Sequence, residues 1–347
     1  MKRAIYFGSF ILIAILSACT TKMYTSIDVL RPADFTFDKG AKSLLIVNNT
    51  IPQPATYGHQ VKLMDEKKRN STINTDSLAM FCLSVVNEEF QKNEFFPHTS
   101  FQMESIKKEG TFFVIDHNHN DSLKLLAQKY NADVVLLLDR IKVNDIVQDF
   151  FNQTNSSYYA VLEAYYQTNW SIYYPSNETL EKKVYMDTIY WDKEAYIRKM
   201  ALQGLPDRYN ALIDGALHVG QETMKRFVPW WDKEDRYFFS SNNKYLKQGM
   251  DSVSMREWDE AIKIWKKGVI KTKGNTKGML LYNIAVANEI TGNTDEAVNN
   301  LKLSIAAFEK TPMVNYQHIF TVYQYQQALE KRLKEIELIK KQLGEVN

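Results

Sequence analysis

The run Asp116-His117-Asn118-His119-Asn120-Asp121 places two imidazoles and two carboxylates within six residues. Alternate side chains of an extended segment share a face, so His117 and His119 would point the same way, as paired metal ligands do. The same residues also read as a polar turn that leads into a helix N-cap, and no third ligand stands at a recognisable spacing. His59, His98, His218 and His318 are isolated. Cys82 falls on the apolar face of a helix candidate with no histidine or basic cluster nearby, which describes a buried thiol; an intermolecular disulfide or a reactive nucleophile is the alternative. No Gly-x-Ser-x-Gly elbow, Ser-x-x-Lys, His-Glu-x-x-His or glycine-rich phosphate loop occurs. The pair Glu88-Glu89 belongs to a solvated helix surface. Tyr158-Tyr159, Tyr165-Tyr166, Tyr173-Tyr174 and Phe238-Phe239 are able to stack on sugars, although at strand positions such residues also serve as core or sheet-face packing. The expectation is a protein with no catalytic set and no cofactor. The competing class is a metal-dependent hydrolase using the His117/His119 loop.

What would position any such chemistry begins with the amino terminus. Met1-Lys2-Arg3 precedes an apolar run from Ala4 to Leu16 and then Leu16-Ser17-Ala18-Cys19. A basic head, an apolar centre too short to span a bilayer and small residues before a cut describe a secretory signal. The cysteine after Leu-Ser-Ala makes the segment resemble a bacterial lipoprotein signal. That resemblance implies removal of residues 1–18, lipidation of Cys19 and a membrane-anchored protein of the cell envelope, on the outer membrane facing the periplasm. Apart from Cys19 the chain has only Cys82, which leaves no intramolecular disulfide partner in an oxidising compartment. Loss of Lys2 and Arg3 leaves 41 basic residues against 41 acidic ones. Such a balance offers no field to attract nucleic acid.

Residues 19–40 read as a tether leading into an early strand, and residues 41–235 as a layered α/β domain. Leu44-Leu45-Ile46-Val47 and Val134-Val135-Leu136-Leu137-Leu138 suit strands buried on both faces. Thr75-Asp76 is read as the cap of a helix carrying Leu78, Cys82, Val86 and Phe90, and Asn120-Asp121-Ser122 as the cap of another with Leu123 and Ala127. Strands are expected at 100–104 and 111–115. The stretch from Phe151 to Tyr159 reads as a loop. Period-two alternation from Leu162 to Tyr174 predicts a half-buried strand with 182–191 as its hairpin partner. Asp207 opens a helix with Leu212, Ala216, Val219 and Phe227 on one face, where Ala211, Gly215 and Gly220 allow close approach to a sheet. This order, with Ala132-Asp133 before the strand that follows the second helix, resembles the periplasmic domains of the curli secretion channel lipoprotein and of the outer-membrane activators of penicillin-binding proteins. It is also similar to an uncharacterised class of lipoproteins that join such a domain to helical repeats. A subunit of an envelope secretion assembly is what the first likeness implies.

After Trp230-Trp231 the composition shifts to helix formers. Trp258-Asp259-Glu260-Ala261-Ile262 with Trp265 recurs 36 residues later as Thr294-Asp295-Glu296-Ala297-Val298 with Leu301, and Gly249 and Ala285 keep the same spacing. These positions resemble tetratricopeptide repeats, in which small residues let paired helices approach and a large apolar residue fills the gap. The pattern departs at Gly268 and Ser304. A last amphipathic helix with Leu329, Leu333, Ile336, Ile339 or Lys340, and Leu343 serves as a solvating cap or as a partner-binding helix. Four segments, Asp76-Ser77-Leu78, Asp121-Ser122-Leu123, Asp187-Thr188-Ile189 and Asp251-Ser252-Val253, are similar to a periplasmic O-glycosylation signal. The fold class is therefore α+β, a mixed-sheet domain followed by tetratricopeptide-like helices over 240–347. The expected role is protein binding or assembly scaffolding through residues 240–347.

Overall fold

The computed structural model describes residues 22–115 and 120–343. The chain divides into two units: one runs from Ala33 to Val228, and the other joins the chain up to Pro32 with Pro229 onward.

The first unit is built on a seven-stranded mixed sheet. Strand β2 (Ser43–Asn48) lies parallel to both β5 (His98–Gln102) and β6 (Val134–Asn152). The 19-residue β6 is the organising strand. Its first half pairs with β2, its second half with the short β3 (His59–Lys62), and its other edge with β7 (Ser157–Tyr174), which pairs in turn with β8 (Thr179–Ala195). A two-residue strand β4 (Arg69–Asn70) closes the β3 edge.

Continuous apolar runs are buried on both faces, as expected. Leu44, Ile46, Leu136 and Leu138 face helices α1 (Leu78–Lys92) and α4 (Arg208–Phe227), whereas Leu45, Val47, Val135 and Leu137 face α2 (Asn120–Tyr130). Gly215 packs on Tyr166 of β7, where an added Cβ would come within 2.3 Å of the phenol oxygen. Gly220 packs against Cys82 of α1 rather than against the sheet. A short helix α3 (Arg198–Gln203) precedes α4. Asp207 accepts from the Asn210 amide at 3.0 Å, as its cap position predicts.

Several local expectations fail for identifiable reasons. The Phe151–Tyr159 stretch is strand and tight turn, not loop, because Phe150 stacks on Tyr159 and Phe151 packs on Tyr158 across the β6–β7 pair. Residues 111–115 form a turn instead of a strand. The α1 cap is Ser77 rather than Thr75-Asp76, since the Thr75 hydroxyl is already committed to the Gln53 carbonyl. Between β2 and β3 the edge of β6 is served by a side chain. The Gln53 amide donates to the Val143 carbonyl at 2.8 Å and accepts from the Val143 N–H at 2.8 Å, doing what a strand backbone would do. A bulge at Asp139 precedes it on β6, with its carboxylate taking hydrogen bonds from Asn49 and Ser171, both at 2.6 Å.

In the second unit β1 (Lys22–Arg31) pairs antiparallel with β9 (Trp230–Phe239) along its whole length. The segment read as a tether thus holds a strand. Arg31 explains the register: it reaches Asp232 at 3.2 Å, Glu234, and Glu335 of the last helix at 2.8 Å. Five helices follow: α5 (Lys244–Ser254), α6 (Trp258–Lys271), α7 (Gly274–Ile290), α8 (Thr294–Glu309) and α9 (Tyr316–Leu343). Asn283 of α7 exchanges two 2.8 Å hydrogen bonds with the Phe239 backbone, capping the end of β9. No helix of the described residues is long and apolar enough to cross a membrane.

Candidate functional site

The helical unit is a duplication in geometry as well as in sequence. Helices α6 and α8 begin 36 residues apart. The turns before them close identically: the Glu257 N–H donates to the Ser252 carbonyl at 3.0 Å, and the Asn293 N–H to the Asn288 carbonyl at 2.8 Å. Each closure needs a left-handed residue, supplied by Arg256 (φ 60°) in the first hairpin and Gly292 (φ 82°) in the second. Replacing Arg256 by Gly relieves the Cβ clash of that conformation and is expected to stabilise the unit by about 0.5–1 kcal/mol, measurable as a rise in its unfolding midpoint.

The repeat positions meet in one core. Ala261, Trp265, Ala285 and Ala297 have no exposed surface, Leu301 almost none, and Gly249 is buried against the Trp265 indole. Trp258 stacks on Phe238 of β9 with ring centroids 6.2 Å apart. Gly268 and Ser304, where the sequence pattern departs, also match in place. Gly268 admits Tyr245 and Leu280, and the Ser304 hydroxyl donates to the Gly278 carbonyl at 2.8 Å. In α9, Val322, Tyr325 and Leu329 are buried, and the helix turns Glu335 inward to Arg31. Leu343 is exposed.

Between α6 and α8, over the start of α7, lies an open groove of about 700 Å³. Its apolar surface comes from Val269, Leu281, Leu303, Ala306 and Ala307, and Lys273, Lys277 and Lys310 stand around it. Leu303 is 56% exposed. From Ala261 to Asn288 the chain carries six lysines and no acidic residue. Overall charge balance hid this local excess from sequence reasoning.

The first unit holds a buried ionic cluster that sequence reasoning missed. His59, read as isolated, pairs through Nδ1 with Asp145, and both side chains are fully buried. Arg208 donates to the other Asp145 oxygen at 2.5 Å and to the Gln60 carbonyl at 2.9 Å. Four residues further along β6, Asp149 takes Arg198 and the Met64 N–H, the latter at 2.6 Å. Burial pushes the Asp149 carboxyl up, but the Arg198 and Met64 donors outweigh it and hold it below the ordinary carboxylate value. A histidine oriented by an aspartate is the arrangement of a general base. Here Nε2 is itself buried, and the cluster joins β3, β6 and α4. Burial, with the Asp187 charge adding to it, pushes the Cys82 thiol up to about 12, which makes it inert.

Among the described residues no group of three metal-ligating side chains comes together. Asp116, His117 and His119 lie outside the described residues, as do Cys19 and the signal segment. Of the four Asp-(Ser/Thr)-apolar sites, Ser122 and Thr188 are exposed, Ser77 is half-buried beside Tyr209, and Ser252 is buried.

No curated protein matches the chain. Similar solved structures include the PelC dodecamer from Paraburkholderia phytofirmans (10% identity over 59% of this chain and 99% of that one, TM-score 0.26). A DUF330 protein from Xanthomonas campestris is 10% identical over 56% of this chain and 94% of that one, with a TM-score of 0.25. A protein described as a neuraminyllactose-binding hemagglutinin homologue from Helicobacter pylori is 9% identical over 57% of this chain and 88% of that one, with a TM-score of 0.27. The family model for a domain of unknown function, DUF6340, matches residues 247–331, within the helical unit. Another, DUF8603, also a domain of unknown function, matches residues 41–239 and so takes in the whole mixed sheet and its helices. That match spans more than half of the chain, and the protein belongs to the DUF8603 family.

Proposed function

We propose that this protein is a lipid-anchored component of the bacterial cell envelope that binds a protein partner through its helical unit, with α5–α8 acting as two tetratricopeptide-like repeats. The observation that carries the reading is the duplicated hairpin with its exposed apolar groove. Stacked helical hairpins bury their shared face and leave extended grooves for other chains, and in this groove Leu303 stands exposed beside Ala306 and Ala307. The Leu-Ser-Ala-Cys19 segment supports the anchor and the envelope location. The reading assigns no catalysis.

The test is a photo-crosslinking residue placed at Leu303 of the full-length chain in cells, with one at Val184 on the open face of β8 as control. A discrete protein adduct is expected from position 303 and not from position 184. Adducts confined to position 184, or none from position 303, would overturn the assignment to the helical unit.

A further inference from the structure

We infer that the α6–α8 groove takes an acidic, amphipathic peptide segment of its partner, inserting apolar side chains over Leu303, Ala306 and Ala307 while its carboxylates meet Lys273, Lys277 and Lys310. The inference rests on the protein-binding reading above and adds the chemistry of what is bound.

Charge complementarity selects the occupant. The three groove lysines make no ion pair among the described residues, and the nearest acid in sequence, Glu309, is hydrogen-bonded to Tyr323 at 2.8 Å. The two helix ends that meet at the groove do not consume the lysines as caps. The Thr272 hydroxyl donates to the Gly268 carbonyl at 2.9 Å, and the Thr311 hydroxyl to the Ala307 carbonyl at 2.8 Å. Three cations gathered without counter-charge repel one another, and an anionic partner relieves that repulsion.

The floor selects the rest of the occupant. Val269, Leu281, Leu303, Ala306 and Ala307 form a strip between two helices, the surface on which an amphipathic segment lays its apolar side. The lining offers no buried polar side chain that would fix the orientation of a small molecule. A free inorganic anion would leave the apolar strip uncovered. A segment with acidic and apolar residues on adjoining faces satisfies both parts of the site at once.

The probe is a labelled synthetic helical peptide with leucine at i, i+3, i+4 and i+7 spacing and glutamate flanking that stripe, titrated into the full chain by fluorescence anisotropy. A matched peptide with lysine in place of glutamate, and phosphatidylcholine vesicles containing phosphatidylglycerol, are run beside it. The glutamate peptide is expected to bind, to weaken as salt is raised, and to lose about tenfold or more in affinity with K273E/K277E/K310E, while the lysine peptide fails. Because the lysines are at the surface, the variant should keep its circular dichroism. Replacing Leu303 by Asp should weaken binding at unchanged fold through the apolar half of the site. Equal binding of both peptides, indifference to the charge reversal, or binding to vesicles but not to the glutamate peptide would overturn the inference. If such a result came while position 303 still crosslinked a protein in cells, the protein-binding reading would stand and only the acidic character would fall.

Discussion

Replacement of Asp145 by Ala should speed amide exchange across β6 by roughly 10²–10³-fold, the equivalent of about 3–4 kcal/mol, as measured by hydrogen-exchange mass spectrometry on peptides covering residues 134–152. The magnitude follows from what the substitution leaves behind. The Asp145 carboxylate is fully buried and joins His59 of β3 to Arg208 of α4; without it the Arg208 guanidinium, only 16% exposed, keeps its charge with no anion beside it. A partnerless charge in a low-dielectric interior costs more than the pair contributed. Conversely, converting all three residues together, H59L/D145L/R208M, removes the charges along with the partners and should return exchange to within about tenfold of the parent chain. Arg198→Ala supplies the internal comparison. Arg198 is more exposed, and solvent can take over part of its role toward Asp149, so a smaller effect is expected there. An Asp145→Ala effect under tenfold would mean that water already reaches the cluster.

That cluster also marks where sequence reading stopped. The runs 44–47 and 134–138 announced their burial because β-strands covered on both faces are apolar at every position, a signal that needs no partner to be recognised. His59 carried no such signal, since its partner lies 86 residues away and becomes one only when β3 aligns with the far half of β6. The same holds for Gln53, whose amide replaces a strand edge 90 residues downstream. The β1–β9 ribbon was missed for a related reason. Its period-two signal is confined to Ser26-Ile27-Asp28-Val29, and Arg31 meets Asp232, Glu234 and Glu335, each about 200 residues or more away. The groove was half visible. The repeat that shapes it was legible from local spacing, but its lysines vanished into a balanced total charge until the helices gathered them.

The duplication permits a sharper test of how the helices pack, because the second hairpin shows an alternative solution to the first. Position 249 is Gly and position 265 Trp; the positions 36 residues on are Ala285 and Leu301. A Cβ at Gly249 would fall 2.0 Å from the Trp265 indole nitrogen and 2.4 Å from the adjoining ring carbon, so Gly249→Ala alone forces the rigid indole to shift, at a cost of about 1–3 kcal/mol. Trp265→Leu alone leaves part of a fully buried volume empty and should cost about 2–4 kcal/mol. It sacrifices no hydrogen bond, because the indole N–H is buried without an acceptor. Together the substitutions give the first hairpin the Ala/Leu pair of the second, and the methyl added at position 249 occupies space that the indole vacated. The double variant should therefore be at least about 1 kcal/mol more stable than the sum of the single effects, read from a thermal or urea double-mutant cycle on the full chain. Strict additivity would mean that the two hairpins share a sequence spacing but not a packing geometry. The expected coupling instead makes residues 249 and 265 one interchangeable unit, as the identical turn closures at Arg256 and Gly292 already are for the backbone.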